Sequence, residues 1–143
     1  KCFPDTPANR AFVTELTQSL ATQSDVVLLN APFRIDDHVD HPIDLGPRVH
    51  TIGAMTPERN LAMQTAAIRR ARAFVGTYGG YSYLAPFYGV PSVAFHSTGE
   101  FSRNHLDLAQ RVVERLGHSS LVVLDTRDAD LLHALLGRTT PRH

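Results

Sequence analysis

The sequence predicts an α/β fold, a doubly wound and mostly parallel sheet. Three observations predict it. Short apolar runs recur with little alternation, as in strands buried on both faces of a parallel sheet. Stretches with helical spacing lie between them, which is the order of a βα-alternating chain. Glycine and proline punctuate nearly every junction.

Five strands are expected, at residues 26–29, 49–52, 73–76, 92–95 and 121–124. A first helix is expected over 7–22, with Thr6 as N-cap and Pro7 at the first helical position. Phe12, Leu16 and Leu20 share one of its faces. A second helix is expected over 57–72, capped by Thr56, with Leu61, Thr65, Ile68 and Arg72 at helical spacing. Shorter helices are expected over 80–88, 104–116 (stopped by Gly117) and 128–136. The chain opens on a helix where a doubly wound sheet wants a strand. The sheet is therefore expected to lack its first strand, the chain being a fragment of something longer.

The chain has 143 residues, which suits one domain spanning 1–143. Hydrophobic residues make up 43% and charged residues 20%, ordinary values for a globular protein. Formal net charge is zero, so neither nucleic acid nor a membrane surface is an expected partner. Cys2 is the sole cysteine, which excludes an internal disulfide and a cysteine-based zinc site. No apolar run approaches the roughly 20 residues of a transmembrane helix. No signal peptide is visible, and a cytoplasmic setting is expected.

The densest signal lies at residues 73–97, AFVGTYGGYSYLAPFYGVPSVAFHS. It reads as strand, glycine turn, helix, Gly-x-Pro turn, strand. Gly79 and Gly80 lead straight into a helix, whose free N–H groups and positive dipole end suit a diphosphate. The turn also sits at a strand C-terminus, where open α/β sheets bind ligands. A tight turn that merely needs glycine is the competing reading.

The same stretch resembles the C-terminal domain of GT-B glycosyltransferases, which is Rossmann-like. It is most similar to the branch with the lipopolysaccharide heptosyltransferases, of pattern V-G-x-D-S-G-x-x-H-L-A-A-x-x-G-V-P-T-V-A. Val75, Gly76, Gly80, Leu84, Ala85, Gly89, Val90, Pro91, Val93 and Ala94 match. Tyr78 stands where the family has an acid, and Tyr83 where it has histidine. Leu84 occupies the place of the ribose-binding Glu of retaining members.

The resemblance implies the donor-binding half of an enzyme that moves a sugar from a nucleotide-diphospho-sugar to an acceptor. Thr77, Tyr78, Gly79, Gly80, Tyr81 and Ser82 would hold the diphosphate. Gly53, Ala54 and Met55 would meet the base, and Glu100 the ribose. Lys1 would lie near the phosphates. Neither cofactor nor metal is implied, because the helix end neutralises the leaving diphosphate. The acceptor, and in inverting members the general base, belong to a missing N-terminal domain. The chain is therefore expected to bind and not to turn over.

Several other groups carry open readings. Asp36, Asp37, His38, Asp40, His41 and Asp44 form either a metal-binding run or a polar loop. His96, Ser97, Thr98, Glu100 and Asn104 follow a strand on the ligand rim, and Asn104 is also a candidate helix cap. Arg69 and Arg70 are expected on a solvated face. Phe87 is expected in the core, and Tyr78 and Tyr81 are the candidates for stacking on a sugar or base. Three alternatives to a transferase stay open: a sugar-nucleotide 2-epimerase-like domain, a non-enzymatic α/β module such as a receiver or ligand-sensing domain, and a non-catalytic GT-like domain that binds a ligand or partner.

Overall fold

The computed structural model describes residues 2–29, 46–53 and 56–128. The chain divides into two compact units. One spans Asp5–Ala71; the other joins Lys1–Pro4 to Arg72–His143. The chain is α/β and Rossmann-like, and every strand pairing among the described residues is parallel.

The Asp5–Ala71 unit contains α1 (Pro7–Gln23), β1 (Val26–Leu28), β2 (Val49–Thr51) and α2 (Pro57–Arg70). Helix α1 starts where the sequence says it should: Thr6 Oγ1 accepts from the Asn9 N–H at 3.2 Å, and Pro7 follows. Thr56 is the N-cap residue of α2, but its side chain makes no capping bond to the backbone. Strands β1 and β2 run in register from Val26 opposite Val49 to Leu28 opposite Thr51. The expected inner face of α2 is corrected. Ile68 is buried, as its spacing suggests, but Leu61 is exposed, and Asn60 and Gln64 are buried instead. Gln64 Nε2 donates to Asn60 Oδ1 at 2.9 Å and to Leu29 O at 3.3 Å. A buried amide pair at i and i+4 thus answers the carbonyl just past β1, which an apolar side chain would leave unpaired. Arg69 and Arg70 are exposed, as expected.

The second unit carries β3 (Phe74–Thr77), α3 (Gly80–Phe87), β4 (Ser92–His96), α4 (Arg103–Leu116) and β5 (Leu121–Asp125). Its strands lie in the order β3-β4-β5. Tyr78, Ala94, Val113 and Leu121 form its core cluster, with Tyr83, Phe101, Leu106, Ala109 and Val123 packed against it. Helix α4 is strongly amphipathic and ends on Gly117 in the left-handed region, φ +68°. Its cap is Ser102, which accepts from His105 N–H, so Asn104 lies inside the helix. Phe87 is also corrected: it is exposed at the last turn of α3. There Gly89, at φ +75°, turns the chain from α3 into β4. The helix expected over 128–136 lies outside the described residues beyond Asp128, as do the acidic and histidine run from Asp36 to Asp44, and Lys1.

Candidate functional site

In the Arg72–His143 unit the three described strands are parallel, so their C-terminal ends share one edge. Thr77, His96 and Asp125 close those strands. The chain leaves β3 at this edge, passes Tyr78 and Gly79 and enters α3. Phe95 O takes the Tyr78 N–H at 2.9 Å, so Tyr78 still belongs to the sheet.

The turn is organised by Ser82. Its hydroxyl donates to Gly79 O at 2.7 Å and accepts the Gly79 N–H at 3.1 Å. The N–H groups of Ser82 and Tyr83 both donate back to Gly79 O, at 3.0 and 3.3 Å. Two donors of the first turn are left: the N–H groups of Gly80 and Tyr81 have no partner among the described residues. No acidic residue stands in that turn to answer them.

The glycines bear on why the turn is built this way. Gly79 is extended, and neither Gly79 nor Gly80 lies in the left-handed region that favours glycine. A Cβ built at either would meet nothing within 4 Å. Neither backbone angle nor packing calls for glycine at these two positions. By contrast, a Cβ on Gly76 would come within 2.8 Å of the Phe74 ring, and Gly89 needs its positive φ. Gly79 and Gly80 leave bare backbone beside two open donors.

The site residues expected from sequence separate into groups. Thr77 and Gly80 are exposed at the edge, and Gly79 and Tyr81 are half-buried there. Partial burial pushes the Tyr81 phenol up. Ser82 is wholly buried, and its hydroxyl is engaged with Gly79, so it shapes the turn without facing a ligand. Tyr78 does not stack at the edge. Its ring is core, 5.3 Å from Tyr83 and 4.7 Å from Phe101. Burial, and then the neighbouring Tyr78 phenol, push Tyr83 up. Glu100 is exposed in the loop after β4, where its N–H donates to Thr98 Oγ1 at 3.3 Å. Gly53 follows β2 in the other unit and is exposed, while Ala54 and Met55 lie outside the described residues.

The segment Cys2–Pro4 is built into this edge. Cys2 O accepts from Ser97 N–H at 2.9 Å and Thr98 N–H at 3.1 Å. Cys2 Sγ donates to Tyr78 O at 3.2 Å, and burial pushes its thiol up. Phe3 meets Phe95 edge-on at 4.9 Å. The thiol is a packing group here rather than a thiolate.

Sequence reasoning missed Asp125 and Arg127. Arg127 folds back over two residues onto the carboxylate, and this hydrogen bond holds Asp125 well below the usual carboxylate range. The only local signal is an Asp-x-Arg run at a strand end, too short to be distinctive. Among the described residues no group of His, Cys, Asp and Glu could hold a metal ion. No described helix is long and apolar enough to cross a membrane. No protein-family model, curated protein or solved structure matches the chain.

Proposed function

We propose that the Arg72–His143 unit binds the diphosphate of a nucleotide-diphospho-sugar at the N-terminus of α3, as the donor-binding half of a glycosyltransferase. One observation carries the reading: Gly79 and Gly80 are glycine without a conformational or packing need, next to the N–H groups of Gly80 and Tyr81, which have no partner among the described residues. A ligand that must touch backbone supplies that need. Phosphate oxygens accept such N–H groups, and the positive end of the helix favours their charge. The chemistry follows from the same geometry. As the sugar leaves, negative charge grows on the diphosphate, and fixed donors stabilise it without reorganising. No residue is assigned as base, and the acceptor side belongs to a further domain.

The test is an NMR titration of the labelled chain with UDP, GDP, ADP, TDP and CMP. Saturable shifts at Gly80 and Tyr81 with one nucleotide are expected, and they identify the base. A folded sample that shows none with any nucleotide sinks the reading.

A second reading has its own support. Tyr78 and Tyr83 replace an acid and a histidine of the resembled pattern, and both rings are turned to packing. That suits a GT-like domain kept for partner binding, and it is the reading left standing if no nucleotide binds.

A further inference from the structure

The edge that carries the α3 turn also carries a held guanidinium. Arg127 N–H donates to Asp125 Oδ1 at 3.0 Å, and Arg127 Nε donates to Oδ1 at 2.9 Å and Oδ2 at 3.1 Å. Nη2 donates to Oδ2 as well. Three side-chain contacts to one carboxylate, with the backbone N–H as a fourth bond, fix a guanidinium that is otherwise largely exposed. They occupy Nε and Nη2, and among the described residues Nη1 has no partner. The neighbouring strand supplies His96, which pairs in register with Asp125. Adjacent strands lie about 4.8 Å apart, and Thr126 N–H donates to His96 O at 2.8 Å, tying the two strand ends together. The His96 ring rests on Phe101 at 4.6 Å, and its buried Nδ1 has no hydrogen-bond partner among the described residues.

We propose that Arg127, positioned by Asp125 and flanked by His96, is a second anion anchor on the strand edge, taking a phosphate oxygen of the same diphosphate ligand through Nη1. The inference rests on the donor-site reading above. Three features support it. A guanidinium held along one side presents its other side in a fixed direction, which suits a planar contact to phosphate. Ordering it beforehand removes entropy that binding would otherwise lose. The anchor also lies on the C-terminal edge of the same parallel sheet as Gly80 and Tyr81, the edge where ligands bind in open α/β sheets. Among the described residues, Glu100 and Asp128 are the other carboxylates of the flanking loops. They oppose an anion there, so the anchor depends on Arg127 keeping its orientation.

The experiment is a titration of the full chain with pyrophosphate, followed by backbone amides and arginine Nε–H resonances. In the wild type, Arg127 Nε–H should shift together with the Gly80 and Tyr81 amides, with one Kd. Arg127→Gln should raise that Kd about tenfold or more, the worth of a charge-assisted contact. Asp125→Asn should raise it severalfold through loss of positioning, and Arg127→Lys should fall between wild type and glutamine. Arg111→Gln, on the exposed face of α4, should leave it unchanged. If Arg127→Gln keeps the wild-type Kd while Gly80 and Tyr81 still shift, the anchor is wrong and the donor-site reading stands. If neither amide shifts with pyrophosphate or with any nucleotide, both fall.

Discussion

Gly80→Ala separates a glycine needed by the fold from one needed by a ligand. Gly80 opens α3, its φ is not positive, and an added Cβ meets nothing within 4 Å. No clash and no strain oppose the methyl group. Alanine also restricts the unfolded chain more than glycine does, a gain of about 0.4–1 kcal/mol at compatible sites. At a first helical position the lower end applies, about 0.5 kcal/mol. With an unfolding entropy of roughly 2 cal/mol/K per residue, a chain of this size gains about 1–2 °C in Tm. Binding should move the other way, because the methyl group enters the space a phosphate would fill. Gly80→Val, branched at Cβ, should weaken nucleotide binding by about tenfold or more. Differential scanning calorimetry and the nucleotide titration together read both effects. A lower Tm for Gly80→Ala would show that the fold itself needs this glycine. A Gly80→Val chain that is folded and binds like wild type would remove the α3 turn as the site.

Three further outcomes test the surrounding structure. Gly89→Ala should lower Tm, since φ +75° is a conformation that L-residues adopt at a cost of about 1–2 kcal/mol, and the His118 ring lies 3.2 Å from the added Cβ. Ser82→Ala should destabilise by about 1–2 kcal/mol in urea unfolding, because it removes the two side-chain bonds between the hydroxyl and Gly79; equal stability would show that the hydroxyl does not organise the turn. Asp125→Asn should flatten the acid side of the stability curve. The Asp125 carboxyl is held low by Arg127, so its contribution is present above the unfolded pKa of about 4 and is lost as pH falls below it; an unchanged acid limb in the variant would contradict the pairing.

The local rules of the chain were legible in the sequence because they act over a few residues. Thr6 and Pro7 start α1, Gly117 ends α4, and the apolar runs without alternation are parallel strands. Such signals depend on backbone angles and caps, which a short window contains. Errors fell where a partner distant in the chain decided the matter. Leu61 has helical spacing for a core face, yet Gln64 holds that face because the Leu29 carbonyl, 35 positions away, needs a donor. Tyr78 looked like a stacking residue, and contacts with Phe101 and Tyr83 make it core.

The same division runs through the candidate site. Gly79, Gly80 and the helix they open were evident from the residues alone, and so was their place at a strand end. Only the tertiary structure decided which donors of that turn are open, because Ser82 Oγ, Gly79 O and Phe95 O take the others. Only it joined Cys2 to Ser97 and Thr98, and His96 to the Asp125–Arg127 pair. Sequence spacing determines which side chains can share an element. Which polar groups are left without a partner depends on the whole packed unit, since each donor is engaged or open according to what the fold brings against it.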